Sequence, residues 1–404
     1  MCLTEGDFLV NCRARKPEAA GWGRSALVLS AAIAVFIVVF PAAGWAQELE
    51  FGGELELRGT YDTNVLRTAE DYDFELRRHD VDETELDDFY GALKTKLHLK
   101  MPFNDVYEQT LRYSLEGNRY ADLTDERRER HRLGFEPTVH LSRSVDLMLE
   151  YELEVDNRDR KAEYLRPDSL QNRAGAMLRW KIDPNNQLSF GYRFEDQDYE
   201  SLEDTPFDDY QGHQAWLGYA HRFSKRTRGT IDLRYRTRDY EEDTRDELGN
   251  GIPGKDRVDD RYEIEARLTH LFTPKMLGRI GYLYRNHESE GTFYDYDLHR
   301  LHGIWVQQFP WQLRLQTYLH YEWRDYADQR AQDTRVNPIS GEPFQEFSDE
   351  DRADEQLFFL FSVTKELGKG FSCGAEFQYL NSESNDESSE YESQSYSLFV
   401  RYRF

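Results

Sequence analysis

Cysteine is nearly missing: of 404 residues only 3 are Cys, and Cys373 alone lies beyond the first dozen positions. That leaves the body of the chain without a partner for an internal disulfide and without a Cys/His spacing suited to zinc. Long apolar runs are as scarce, the single one being Ala26 to Phe40. Helical periodicity is absent after it, which argues against a helical bundle or an α/β fold. The 11 histidines are scattered, and no Gly-x-Ser-x-Gly elbow occurs, so the constellations that acyl-transfer enzymes need are missing. Positive charge is in deficit as well, 51 Lys and Arg against 77 Asp and Glu for a net charge of -26, the wrong sign for a nucleic-acid partner.

What the N-terminus does have is a secretory pattern. Arg24 precedes the apolar run, and the small-residue stretch Pro41, Ala42, Ala43, Gly44, Trp45, Ala46 follows it. The run falls short of the roughly 20 residues a spanning helix needs. A signal peptide over 1–46, cut after Ala46, is the expectation, with 47–404 as one domain. Mean hydropathy is -0.83, a value usual for soluble proteins. A transmembrane β-barrel can nonetheless have it, because only one face of each strand meets lipid.

The remaining chain alternates apolar and polar residues in one stretch after another. Val145, Leu147, Leu149, Tyr151, Leu153 and Val155 interleave with Asp146, Met148, Glu150, Glu152, Glu154 and Asp156. Strands are likewise predicted over 49–61, 89–101, 107–117, 133–141, 174–182, 188–194, 213–223, 231–237, 262–272, 276–284, 296–309, 311–323, 357–363, 371–379 and 396–404, giving sixteen. Their connections alternate strictly. Short turns fall at 102–105, 142–144, 183–186, 224–226, 273–275, 309–310 and 368–370; long loops are expected at 62–88, 119–130, 156–171, 199–209, 239–260, 286–294, 325–354 and 381–392. A sandwich or propeller has no reason to put every long loop at one end, whereas an up-and-down antiparallel barrel of a bacterial outer membrane does. Such a fold, all-β with about sixteen strands, is the expected architecture, and the cell outer membrane the expected location.

Aromatic residues gather near strand ends, as at a bilayer interface: Phe103, Tyr107, Phe223, Phe272, Phe309, Trp311 and Phe371 by the short turns, and Tyr61, Tyr90, Tyr120, Tyr199, Tyr210, Tyr240, Tyr262, Tyr326 and Tyr391 by the long loops. The chain closes on Tyr396, Leu398, Val400, Tyr402 and Phe404 at every second position. This resembles the C-terminal assembly signal of outer-membrane barrels, which implies the barrel-insertion machinery as a partner. The first strand ends Tyr61-Asp62-Thr63-Asn64-Val65, similar to the opening of outer-membrane barrels associated with exopolysaccharide systems and of surface-lipoprotein assembly modifiers. That resemblance implies polysaccharide-export partners; an Asx turn at a strand end explains the same five residues without them.

Most of the negative charge sits in the long loops: residues 62–88 hold eleven acidic and three basic residues, 325–355 ten and three, 240–261 eight and four, and 381–392 five and none. The wall is therefore expected to be nearly neutral beneath an acidic rim. The rim reads as solvated and self-repelling, or as carboxylates that bridge to lipopolysaccharide through divalent cations. The polar positions that alternate with the apolar ones should line the lumen: Glu150, Glu152, Glu154, Arg179, Lys181, Arg193, Arg234, Arg236, Glu265, Arg267, Arg279, Arg314 and Glu322. They pair across strands, or project into water and set selectivity. The functional expectations are a porin-like channel for solutes, an exopolysaccharide-export component, or a structural or adhesive barrel without flux. No enzyme activity, cofactor, metal or nucleic acid is expected; outer-membrane lipid and lipopolysaccharide are the surroundings.

Overall fold

The computed structural model describes residues 49–65, 87–123, 127–158, 168–199, 209–245, 251–336, 343–386 and 389–404. The expected signal segment and much of the long loops lie outside them. The described chain forms β1 (Glu50–Asp62), β2 (Asp88–Pro102), β3 (Tyr107–Tyr120), β4 (Arg128–His140), β5 (Val145–Arg158), β6 (Ser169–Lys181), β7 (Asn186–Tyr199) and β8 (Tyr210–Arg222). It continues as β9 (Thr227–Arg245), β10 (Gly251–Thr273), β11 (Met276–Ser289), β12 (Tyr296–Phe309), β13 (Leu313–Val336), β14 (Pro343–Gly368), β15 (Phe371–Ser384) and β16 (Tyr391–Arg403). Each strand pairs antiparallel with its neighbours in sequence, and β1 pairs with β16, so the sixteen close into one barrel. Closure leaves no open edge to aggregate.

Turn chemistry fixes the short connections. Asn104 Oδ1 accepts the backbone N–H groups of Val106 and Tyr107, both at 2.8 Å, and Asp183 Oδ1 accepts those of Asn185 at 2.7 Å and Asn186 at 2.9 Å. Ser224 Oγ does the same for Arg226 and Thr227 at 3.1 Å. A side-chain oxygen at the first turn position thus stands in for a backbone acceptor. The β14–β15 turn needs a different device: Gly368, Lys369 and Gly370 have φ of 90°, 50° and 81°, a left-handed run that glycine on both sides makes cheap.

The seam is sealed by backbone and side chains together. Gly53 N–H donates to the Phe404 carbonyl at 2.9 Å, and Phe404 N–H returns to the Gly53 carbonyl at 3.1 Å. On the inner side Arg401 and Arg403 bind Glu56 and Glu54, each with an Nε to oxygen distance of 2.9 and 2.8 Å. On the outer side Tyr396, Leu398, Val400 and Phe404 are exposed, and Tyr402 shares their parity; the Phe404 ring lies 5.8 Å from Phe51.

The exposed apolar side chains fall on one parity of each strand: Leu55 and Leu57 on β1, Leu149 and Tyr151 on β5, Leu178 and Trp180 on β6, Ile231 and Leu233 on β9, Leu319 and Tyr321 on β13. Such a band would be unfavourable in water and is matched to hydrocarbon. This is a transmembrane-type barrel with its polar face turned inward.

Two expectations change. Residues 239–260 and 325–354 are mostly strand, not loop: β9–β10 and β13–β14 run on as hairpins well past the neighbouring strands, with register shifts near Asp256 and between Asp325 and Gln332. A bulge lets a ladder continue past the barrel rim while bending away from the cylinder. Pro137 lies in mid-strand, where a ladder donor is lost. The pairing of β4 with β5 skips it but resumes at Thr138 and Met148 without a slip.

Candidate functional site

Because side chains alternate across the wall, the inward face can be followed strand by strand. All thirteen charged positions read from the sequence lie on the parity opposite the exposed apolar row. The structure brings some of them together and leaves others apart.

On β5, an acidic row faces basic rows on both neighbours. Glu154 takes Arg132 at 2.7 Å and Arg130 at 3.1 Å; Glu152 takes Arg173 at 2.6 Å. Asp146 binds Lys181 at 3.2 Å and His140 at 2.7 Å. Glu150 reaches past β6 to Arg193 on β7 at 2.5 Å. That reach depends on Gly175 between them, where a Cβ would come within 2.7 Å of Glu150 Oε1 and 2.9 Å of the Tyr192 carbonyl. Gly212 on β8 serves the same purpose for Glu195 and Arg238, which meet at 2.9 Å. Glycine on the inner wall here is a low point over which an ion pair spans two strands.

On β9 to β13 the rows are richer in arginine. Arg234 binds Glu265 at 3.0 Å and Glu263 at 3.3 Å, and Arg267 pairs with Asp232. Glu322 receives Arg300 Nε at 2.6 Å and Arg324 at 2.9 Å. Arg236 is 3.6 Å from Glu195, which Arg238 already holds. Among the described residues, Arg279 and Arg314 donate only to neutral groups, Thr269 at 3.0 Å and Gln316 at 3.0 Å. Arg179 has no ion pair among the described residues. The wall is therefore not evenly neutral, as expected from the loop charges, but divided into a self-neutralising side and an arginine-rich side.

The aromatic expectation needs correction at the long-loop end. Tyr61 and Tyr262 point outward, being 41% and 47% exposed. Tyr90, Tyr120, Tyr199, Tyr210, Tyr240, Tyr326 and Tyr391 instead share the parity of the lumen rows. Four of them stand in cross-strand pairs, Tyr90 with Tyr120 at 4.9 Å and Tyr210 with Tyr240 at 5.2 Å between ring centroids. Arginines lie over several rings: Arg238 on Tyr210 and Arg257 on Tyr240, both at 4.2 Å, and Arg324 on Tyr296 at 4.9 Å. The mouth is thus lined by tyrosines and guanidiniums in cation–π contact. Outside, Tyr61 and Tyr262 are joined by Tyr235, which donates to Asp260 at 2.8 Å, and Tyr284, which donates to Asp297 at 2.7 Å.

Sequence reasoning missed Arg128, Arg130 and Arg261 as wall residues because the strands extend into stretches read as loop. Alternation carried two residues further would have found them. A hollow of about 850 Å³ lies outside the lumen. Leu57, Gly59, Gly91, Leu93, Leu398 and Val400 line it on the outer apolar face, where glycines leave the lipid-facing wall thin.

No family model and no curated protein matches the chain. Solved structures similar in shape include OccAB1 of Acinetobacter baumannii (TM-score 0.49, 10% identity, 89% of this chain and 97% of that one). OprD of Pseudomonas aeruginosa has a TM-score of 0.45 at 10% identity, over 89% and 97% of the two chains. A bacterial polysaccharide outer membrane secretin has a TM-score of 0.44 at 9% identity, over 87% and 98%.

Proposed function

We propose that the protein is a porin-like channel of the outer membrane, carrying dissolved solutes through the barrel lumen after a signal over 1–46 has been removed. The observation that carries this reading is the inner wall: a closed ring of sixteen strands presents row upon row of charged groups to the axis. A barrel of this strand number is wide enough for a water-filled passage, unlike an eight-stranded one. Charged rows are stable only where water or ion pairs solvate them, and the outer apolar band with its tyrosine hydroxyls suits lipid and lipopolysaccharide surroundings. The terminal strand from Tyr396 to Phe404 supports recognition by the barrel-insertion machinery.

The polysaccharide-export reading draws no added support from the motif that suggested it. Asp62 Oδ1 accepts Asn64 N–H at 3.1 Å and Ser393 Oγ–H at 2.8 Å, and Thr63 N–H donates to Gln394 at 2.9 Å. Those bonds make Tyr61–Val65 a strand-ending turn that ties β1 to β16. The test is the conductance of refolded protein in a planar bilayer. Stable current steps are expected; folded protein without current would turn the assignment toward a closed structural barrel.

A further inference from the structure

On the arginine-rich side, Arg236 of β9 and Arg261 of β10 stand directly opposite each other in the ladder, on the lumen face. Facing residues of adjacent strands hold their Cβ atoms about 5 Å apart, and like charges so placed repel. Nearby carboxylates relieve the pair only in part. Glu195 is taken by Arg238 and lies 3.6 Å from Arg236; Glu263 is taken by Arg285 at 2.7 Å and Arg234 at 3.3 Å. Asp259 on the same strand is held by Arg257 at 2.7 Å. Arg261 has no ion pair among the described residues, and its Nε is buried with no hydrogen-bond partner. Its lateral neighbour on β11 is His287, which faces Asp259 at 3.5 Å.

A buried, unmatched guanidinium donor costs free energy unless something accepts its protons. Two guanidiniums side by side, with only a share in the Glu195 carboxylate that Arg238 holds more closely, offer the planar forks that carboxylate, phosphate and sulfate groups match. We propose that Arg236 and Arg261 form an oxyanion-binding station in the lumen, engaging the carboxylate, phosphate or sulfate group of a solute on its way through. The station faces the lumen, so its ligand comes from solution and not from a lipid headgroup. The inference rests on the channel reading for its role in passage, though not for the binding itself.

Inorganic phosphate is the probe. In bilayers at low potassium chloride, phosphate is expected to interrupt the current of the full protein. Arg261→Gln should raise the half-blocking concentration at least tenfold, while Arg261→Lys, which keeps the charge, should raise it only a few fold. Equal block in the protein and in Arg261→Gln, or no block in either, overturns the station. If the folded protein passes no current, the channel reading fails and the station is judged by heat unfolding in detergent. Phosphate should then raise the unfolding temperature of the unaltered protein but not of Arg261→Gln, and failure to do so overturns it. In phosphate-free buffer Arg261→Gln should unfold at the same or a higher temperature, since a repulsion is removed. A clear fall would show that Arg261 has a built-in partner and would overturn the proposal.

Discussion

The wall made by β4, β5 and β6 and the wall made by β9, β10 and β11 use the same residue types in different order. In the first, a row that is acidic but for Met148 lies between two mainly basic ones, so carboxylates find a guanidinium or ammonium on a neighbouring strand or, for Glu150, one strand further on. In the second, β9 itself carries Arg234, Arg236 and Arg238 in succession, and β10 answers with Glu263 and Asp259 at the outer two levels but Arg261 at the middle one. The difference teaches that net charge of a chain says little about its interior. A protein of charge -26 nonetheless presents a surplus of arginine along one side of its lumen. Cross-strand order, not composition, decides which charges are spent on stability and which stay free to act.

The comparison is broken most severely by removing a carboxylate that two arginines of the arginine side share. Glu195 is 4% exposed and holds both Arg238 and Arg236. Glu195→Gln would leave two more guanidiniums unmatched beside Arg261, and stripping one partner from a buried ion pair costs about 3–5 kcal/mol. A loss near ~3 kcal/mol is expected in urea unfolding, since the lumen is partly wet. A change below ~0.5 kcal/mol would mean the arginines are already fully hydrated.

Next in size is the low point of the paired side. Gly175→Leu drives a side chain into Glu150 and the Tyr192 carbonyl; the carbonyl cannot move aside, and overpacking of this kind costs about 1–3 kcal/mol. The same change should separate Glu150 from Arg193. Gly91 has nothing within 4 Å of an added Cβ, so Gly91→Ala should be nearly silent by the same urea measurement.

A reciprocal exchange sharpens the contrast. Glu150→Arg with Arg193→Glu restores the pair in reverse and should lie within about 0.5 kcal/mol of the original, while each single change places like charges together and destabilises by more. If the double variant is as unstable as the worse single one, the pair is set by its surroundings and not by its mutual attraction. The corresponding exchange has no meaning at Arg236 and Arg261, where no acid is present to trade.

Much of this was legible in sequence because period-two alternation and turn residues are local. Asp183 and Asn186 announce their turn, and the row Glu150, Glu152, Glu154 announces its face. Placement along the strand axis was not legible. Tyr210 and Tyr240 sit at strand ends like girdle residues, yet they share the parity of the lumen rows and stand across from each other on the inner side. Likewise Arg261 stood just before a predicted strand starting at Tyr262, and the hairpin that carries β9 and β10 past the rim is stabilised by pairing between distant residues. Parity could be read, but length could not.

The last effect lies above the walls, where a carboxylate among carboxylates mirrors Arg261 among arginines. Asp295, in the connection between β11 and β12, accepts Ser289 N–H at 2.6 Å. Burial pushes its carboxyl up to about 6, against that hydrogen bond, with Glu288, Asp328 and Asp259 adding to the rise. The ordinary value in an unfolded chain is about 3.9. The folded protein thus binds this proton more tightly, and the linked stability is fully present below about 4 and lost as pH rises through about 6. Heat unfolding in detergent from pH 4 to 7.5 should show the protein losing ground to Asp295→Asn over that window and running parallel to it above. Asparagine keeps an acceptor for Ser289 and has no proton to lose, so a difference that stayed constant across the whole range would remove Asp295 as its source.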